Sequence, residues 1–413
     1  MDVESNKLDR RNFLKTIGAS GLGVVLAAGK LKADANEPNE PNAPKKEKEE
    51  KLPQVPRRVL GKTGVEVPVL SLGIMYNAVD KQIVLKKAAD WGVTFWDTAY
   101  GYAGGNSELG IGSFIAKNPD IRKDLFIVTK ASGAENVDGI EKCLQESLKR
   151  MNTNYIDLFY GVHGLSDPAN LTDEMRKWAA DAKKRKVIKF FGFSTHTNMA
   201  KCLAGASKLD WIDAIMPSYN FRLMQEAEMQ DAVEACSKAN IGLIAMKVQG
   251  HKVETEGDKK LADHFIKSGF TEGQAKVKVV LEDKRIAVAC VGGDNITHLT
   301  LNIAAVLDKT QLAQVDKDVF KDYALATCSG YCAGCSHICD LAMADKLYIN
   351  EVMRSLMYYN NYGLHDQARQ TFARIPLQAR NRLLSVDYTA AEHRCPQHLP
   401  IARLVTEAVS KLA

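Results

Sequence analysis

Eight short apolar runs, each followed by an amphipathic stretch, constrain this chain more than any other feature. The runs occupy residues 70–73, 94–99, 125–130, 155–160, 189–194, 214–219, 242–247 and 287–291. They read as strands buried on both faces, because their apolar character is continuous rather than alternating. Between them the spacing turns helical: from residue 138 onward, Ile140, Cys143, Leu144, Leu148 and Met151 fall on one helical face. Eight strand–helix repeats over roughly 250 residues is the arithmetic of an α/β fold of the (β/α)8 TIM barrel type. A doubly wound sheet is the competitor, but it brings a Gly-x-Gly-x-x-Gly turn after an early strand, and none is present. Ahead of the first run, Arg57 to Leu60 and Val67 to Leu70 flank Gly61-Lys-Thr-Gly64, which predicts an N-terminal hairpin.

The barrel takes residues 57–312 of 413, and its flanks differ in character. Residues 1–35 read as an export signal. Arg10-Arg11-Asn12-Phe13-Leu14-Lys15 precedes an uncharged run from Thr16 to Gly29, and Ala33-Asp34-Ala35 offers a cleavage site. That pattern is similar to a twin-arginine signal, which implies the twin-arginine export machinery as a partner and a periplasmic or exported location. A basic amphipathic N-terminus is the plainer alternative. Residues 36–56 repeat Asn, Glu, Pro and Lys with almost nothing to bury, so a disordered tether is expected. Residues 313–413 are helical by pattern, carry a cysteine cluster, and are expected to form a separate C-terminal domain. The net charge of +5 is small and dispersed, which excludes a nucleic-acid partner as the organising function.

In a barrel of this kind chemistry gathers at the C-terminal strand ends. Those ends deliver Asp97 and Tyr102 after the second run, Lys130 after the third, and His163 after the fourth. The stretch from Thr94 to Glu108, with Asp97 five residues before Tyr102 and Gly104-Gly-Asn-Ser-Glu108 behind it, resembles the aldo-keto reductase signature. The set Asp97, Tyr102, Lys130 and His163 is similar to that family's catalytic tetrad. The resemblance implies Tyr102 as general acid/base and His163 as orienter of the substrate carbonyl. A phenol titrates near pH 10 and needs a nearby cation to act at neutral pH, so Lys130 would supply the cation and Asp97 would hold it. One spacing departs from the family: His163 lies six residues after Asp157 rather than five. A bulge at Gly161 would absorb the extra residue.

The same resemblance implies a nicotinamide cofactor, NADP or NAD. Gly192-Phe-Ser194 matches the segment that holds the carboxamide, with Thr195 where Asn is common, and Ser218 stands near the usual strand-six Gln. Gly292-Gly293-Asp294 and, ten residues after Gly292, Asn302 look like the nucleotide-binding loop and the helix it enters. Asp294 occupies a position where a residue that grips the ribose 2′-phosphate is usual. Its charge opposes that phosphate, so either NAD is preferred or the nucleotide site has decayed.

Five of the nine cysteines lie between Cys328 and Cys395. Cys332, Cys335 and Cys339 in one short loop, with Cys395-Pro396 far downstream, follow the logic of a [4Fe–4S] site. The tail resembles the ferredoxin-like extension of some bacterial aldo-keto reductases, with Cys328 spare. Disulfides and zinc are the alternatives. A hydride is a two-electron currency and no flavin motif is present, so the cluster is expected to pin the tail rather than relay electrons. The resulting expectation is an exported NAD(P)-dependent oxidoreductase acting on a small-molecule carbonyl or alcohol, sugars included. The rivals are a non-catalytic barrel that binds a ligand or partner and an iron–sulfur electron-transfer protein.

Overall fold

The computed structural model describes residues 52–250 and 256–413. The export signal and most of the tether lie outside them. The last residues assigned to the tether do not behave as one. Val55 is buried and its N–H bonds Trp91 O at 3.1 Å, while the Gln54 amide reaches Asp90 O at 3.0 Å. The packed body therefore starts at Leu52 rather than Arg57; Val55 and Gln54 give the chain enough to bury and to bond there.

Ten strands follow: β1 (Arg57–Val59), β2 (Glu66–Pro68), β3 (Leu70–Gly73), β4 (Phe95–Asp97), β5 (Phe126–Lys130), β6 (Ile156–His163), β7 (Ile188–Thr195), β8 (Ala214–Pro217), β9 (Gly242–Ala245) and β10 (Val288–Gly292). β1 and β2 pair antiparallel as the expected hairpin. β3 to β10 close into an eight-stranded parallel barrel, with β10 hydrogen-bonded back to β3. The eight apolar runs supply all eight staves, so this is the (β/α)8 barrel the alternation implies.

The barrel is a packed core. Phe95, Phe126, Val128, Leu158, Tyr160, Met216, Ile244 and Val288 fill it, and Leu60 and Val67 of the hairpin join the same cluster. The hairpin thus plugs the N-terminal end. Its turn needs glycine: Gly61 has φ +48°, and a Cβ there would stand 2.4 Å from the Gly242 nitrogen. The helix Val137–Arg150 is capped by Asn136, which accepts from Gly139 N at 2.9 Å. It buries Ile140, Cys143, Leu144 and Leu148, the face seen in the sequence.

Beyond the barrel come the helices Gln314–Ala326, Ile349–Tyr362, His365–Ala373 and Ile401–Leu412, with shorter turns between. The last three share a core around Leu356, Phe372, Ile401 and Val405, whereas Phe320 of the first packs against Phe221 and Phe265. They nevertheless form one compact unit with the barrel, Leu52–Ala413, rather than a body apart. Polar contacts explain the docking. Asn350 donates to Thr197 at 2.7 Å, Arg222 to Thr327 at 2.7 Å, Asn220 to the Tyr331 hydroxyl at 3.1 Å and Gln397 to Glu226 at 2.7 Å. All these barrel residues lie just beyond the C-terminal strand ends, so the helices sit over the barrel mouth.

Candidate active site

Asp97 closes β4 and Lys130 closes β5, adjacent staves, so both side chains arrive at the mouth together. Lys130 Nζ lies 2.7 and 2.8 Å from the two Asp97 carboxylate oxygens and 2.7 Å from Thr98 O. Both residues are buried. Burial pulls the Asp97 carboxyl above its ordinary range, and the Lys130 charge and hydrogen bonds oppose the shift.

Tyr102 follows on a tight turn in which Ala103, Gly104 and Gly105 all have positive φ, at 49°, 64° and 97°. The glycines adopt this freely, whereas Ala103 carries a cost of about 1–2 kcal/mol. That turn folds the tyrosine back over the mouth, with Lys130 Nζ 4.9 Å from its ring centroid. Burial, reinforced by the Asp97 charge, pushes the phenol well above its ordinary value. It is therefore held protonated.

His163 ends β6, and the register of β6 against β7 shifts between Tyr160 and Val162. The bulge expected at Gly161 is there, and glycine is required. A Cβ at Gly161 would lie 2.6 Å from the Phe191 ring. The bulge turns His163 toward Tyr102, with ring centroids 5.7 Å apart and planes at 76°. Ser132 Oγ is 2.7 Å from His163 Nδ1 and also accepts from Gly101 N at 3.4 Å. Ser132 can donate to Nδ1, and that arrangement is the one that leaves the imidazole proton on Nε2. Burial first, then Lys130, Arg354 and Arg374, hold the imidazole well below its ordinary pKa. His163 is a neutral donor.

The nicotinamide residues split. Ser194 and Ser218 are buried, and their hydroxyls have no hydrogen-bond partner among the described residues. Buried polar atoms left unpaired are costly, so two orphaned hydroxyls at neighbouring strand ends fit a polar ligand such as a carboxamide. Thr195 instead turns its hydroxyl back to Leu165 O at 2.7 Å. At the nucleotide loop, Gly292 leaves open space where a Cβ would be. Asn302 bonds Gly292 O at 3.1 Å, and Asn295 caps the helix Ile296–Leu307 by accepting from His298 N. Asp294 is engaged locally, 3.0 Å from both His298 Nδ1 and Asn295 Nδ2.

Three further groups stand at the mouth that the sequence reading does not place among the site residues. His196 lies 6.4 Å from His163, ring to ring. Arg354 places its guanidinium 3.0 Å from His196 Nδ1, and Lys247 Nζ is 3.3 Å from the Tyr358 hydroxyl. His196, Lys247, Ser218 and Arg354 line a cavity of about 580 Å³ between barrel and C-terminal helices. Tyr102 and His163 are not among its lining residues, and His196 is the lining ring next to His163.

A barrel with a phenol donor, a neutral imidazole donor and a buried Lys–Asp pair at its mouth, beside two orphaned hydroxyls, defines an NAD(P)-dependent oxidoreductase of carbonyls. The chain belongs to the aldo/keto reductase family, whose pattern it matches over residues 70–318. It is 25% identical over 324 residues to L-glyceraldehyde 3-phosphate reductase of Escherichia coli K12, covering 64% of this chain and 93% of the relative. It is 29% identical over 286 residues to the aldo-keto reductase yakc [NADP(+)] of Schizosaccharomyces pombe, covering 61% and 79%. The thermostable aldo-keto reductase Tm1743, solved with the inhibitor epalrestat, superposes with a TM-score of 0.55 at 25% identity, covering 65% of this chain and all (100%) of that one. Aldo-keto reductase AKR11C1 of Bacillus halodurans in its holo form shares the fold at a TM-score of 0.54 and 18% identity, over 65% and 96%.

The tail cysteines converge as a set. Cys332, Cys335, Cys339 and Cys395 line one small cavity with Pro396 and Ile349, while Cys328 does not. All nine cysteines are free. Among the described residues no three His, Cys, Asp or Glu side chains stand close enough to share a single ion. Burial, with the Cys395 thiol adding, pushes Cys335 up to about 11, and burial with the Asp340 charge and the neighbouring thiols pushes Cys339 up to about 12.

Proposed function

We propose that this protein interconverts a carbonyl and an alcohol with Tyr102 as the general acid/base. The observation that carries the reading is the edge-to-face pair of Tyr102 and His163 above the buried Lys130–Asp97 pair. The nicotinamide, when bound, supplies or accepts the hydride at the carbonyl carbon. In the direction of reduction, Tyr102 gives its proton to the carbonyl oxygen, and His163 Nε2–H steadies the charge growing there. The phenolate left behind faces the Lys130 cation across its own ring. Ser194 and Ser218 are the residues placed to hold the carboxamide. The neutral imidazole and protonated phenol suit a reductase better than an ionised site would.

Sugars are within the substrate class we propose, and the name of the Escherichia coli relative, a reductase of a phosphorylated triose aldehyde, is consistent with that. Arg10-Arg11 and the uncharged run after it support export through the twin-arginine route, with cofactor bound beforehand. The four converging cysteines support a [4Fe–4S] group held by Cys332, Cys335, Cys339 and Cys395. A cubane carries its ligands on separate irons, so it needs no single-ion gathering of sulfurs. Its role in this reading is structural, to pin the tail by tying the segment of Cys332 to Cys339 to that of Cys395.

The test is mass spectrometry of small molecules released from protein purified in its exported form, followed by NADH and NADPH oxidation with a panel of aldehydes. Bound or bindable nicotinamide with turnover that disappears in Tyr102→Phe supports the reading. Failure to bind either nucleotide sinks it and leaves a binding scaffold.

A further inference from the structure

The cavity under the C-terminal helices is rich in cationic side chains, none of which belongs to the tetrad or the nucleotide loop. It is lined by Lys247, Arg354, Arg403 and Lys411, against a single carboxylate, Glu407. Glu407 is already committed, 2.6 Å from Lys411 Nζ and 2.9 Å from Asn360 Nδ2. Lys247 has no carboxylate within ion-pair distance among the described residues. Its ammonium meets the Tyr358 hydroxyl at 3.3 Å and stands over the Tyr358 and Tyr362 rings at 4.4 and 5.2 Å. Arg354 is braced by Glu351 on one side and His196 on the other, and its Nε is buried without a partner. Keeping cations in a partly desolvated hollow is costly unless an anion joins them.

Two candidates exist for that anion: the dinucleotide's phosphates or the substrate. The phosphates belong with the loop after β10, and none of Gly292, Gly293 and Asp294 lines this cavity. Arg354 instead reaches His196, whose ring is next to His163. A carbonyl held at Tyr102 and His163 would therefore extend its chain past His196 into the cationic hollow.

We propose that this cavity is an anion-binding subsite for the substrate, with Arg354 and Lys247 as its cations. The substrate is a short carbonyl compound ending in a carboxylate or phosphate. The proposal rests on the reductase reading above and narrows its substrate class. Arg354 comes from the helix Ile349–Tyr362, so the C-terminal helices contribute the specificity that the barrel alone lacks.

The experiment compares matched aldehydes that differ only in the anionic end: butyraldehyde with succinic semialdehyde, and glycolaldehyde with its phosphate. Wild-type protein is expected to favour at least one anionic member in kcat/KM by about tenfold or more, as a close charge pair contributes. The carboxylate and phosphate arms show which oxyanion is preferred. Arg354→Met and Lys247→Met should each lower that preference by about tenfold, through KM, with the NADPH dissociation constant held within about twofold. Arg354→Lys should restore part of it, and serves alone if the Met variant loses its fold. Equal kcat/KM within both pairs overturns the proposal, as does a loss that appears in NADPH affinity instead. If no aldehyde is reduced, the reductase reading has failed, and calorimetry with succinate and inorganic phosphate still decides the subsite. Binding that Arg354→Met abolishes supports it, and no binding to wild type overturns it.

Discussion

Lys130 stands over the face of the Tyr102 ring, 4.9 Å from its centroid, with its three ammonium hydrogens directed to Asp97 and Thr98. It therefore acts on the phenol through its field and not through a hydrogen bond to the hydroxyl. The buried Asp97 in turn depends on Lys130 for its charge. Lys130→Met should cost twice: about 3–5 kcal/mol of stability from the uncompensated carboxylate, and at least about a hundredfold in kcat from the lost field. Tyr102→Phe should abolish turnover while leaving the stability near wild type. Urea unfolding and single-turnover hydride transfer on both variants check the difference. Equal stability losses would show that Lys130 does not act through Asp97.

The pH dependence of stability follows from the two histidines. His163 and His196 are both held well below the ordinary imidazole pKa, by burial first and then by cations: Lys130, Arg354 and Arg374 for His163, and Arg354, Lys247 and Lys130 for His196. Below about pH 6.5 the unfolded chain binds protons at these rings and the folded chain does not, so stability falls as pH falls. The slope is about 1.4 kcal/mol per pH unit for each histidine. Denaturant melts between pH 7 and pH 5 measure it. His196→Asn should flatten the slope, and a slope unchanged in that variant would show that the ring titrates normally in the folded state.

The barrel, the hairpin and the four strand-end residues are legible in the sequence because each depends on local pattern: continuous apolar runs, turn glycines, and polar residues where a run stops. The C-terminal assembly is not. Lys247 ends an apolar run as the other strand-end residues do, but Arg354 is far away in sequence and ordinary in its own context, and only the docking of its helix over the mouth brings the two together. Ser132 is hidden for a similar reason. A serine two residues past a strand carries no signal until His163 is known to face it, 2.7 Å away. The end of the tether escapes a compositional reading because composition averages over a window, while the burial of Val55 and the hydrogen bonds of Val55 and Gln54 hold residues 52–56 to the barrel.

The extra residue in β6 is a device for aiming His163, and it has a direct test. Gly161→Ala forces a Cβ to within 2.6 Å of the Phe191 ring, and overpacking of this kind costs about 1–3 kcal/mol. Relief by straightening the bulge would swing His163 from Tyr102. Gly161→Ala should therefore lose kcat as well as stability. Ser132→Ala, which frees the tautomer without touching the bulge, should lose kcat alone, by about tenfold or more. Steady-state kinetics and thermal unfolding of the two variants separate these effects. A Gly161→Ala protein with normal kcat would show that the bulge does not aim the imidazole.

Asp294 bears on the choice of nucleotide. It sits just before the helix Ile296–Leu307, one residue ahead of its Asn295 cap, where an anionic phosphate would otherwise be welcomed by the helix N-terminus. Its carboxylate is exposed and pairs with His298 at 3.0 Å, which keeps it in place without cancelling it when that histidine is neutral. A ribose 2′-phosphate brought to this loop meets like charge, whereas a 2′-hydroxyl meets an acceptor. Wild-type protein should accordingly bind NADH at least as tightly as NADPH. Asp294→Ala should tighten NADPH by about fivefold to tenfold and weaken or leave NADH, with the gap narrowing in high salt because the site is exposed. Fluorescence titration of both cofactors at two ionic strengths measures this. Equal changes for both nucleotides would show that Asp294 shapes the loop and does not read the 2′ position.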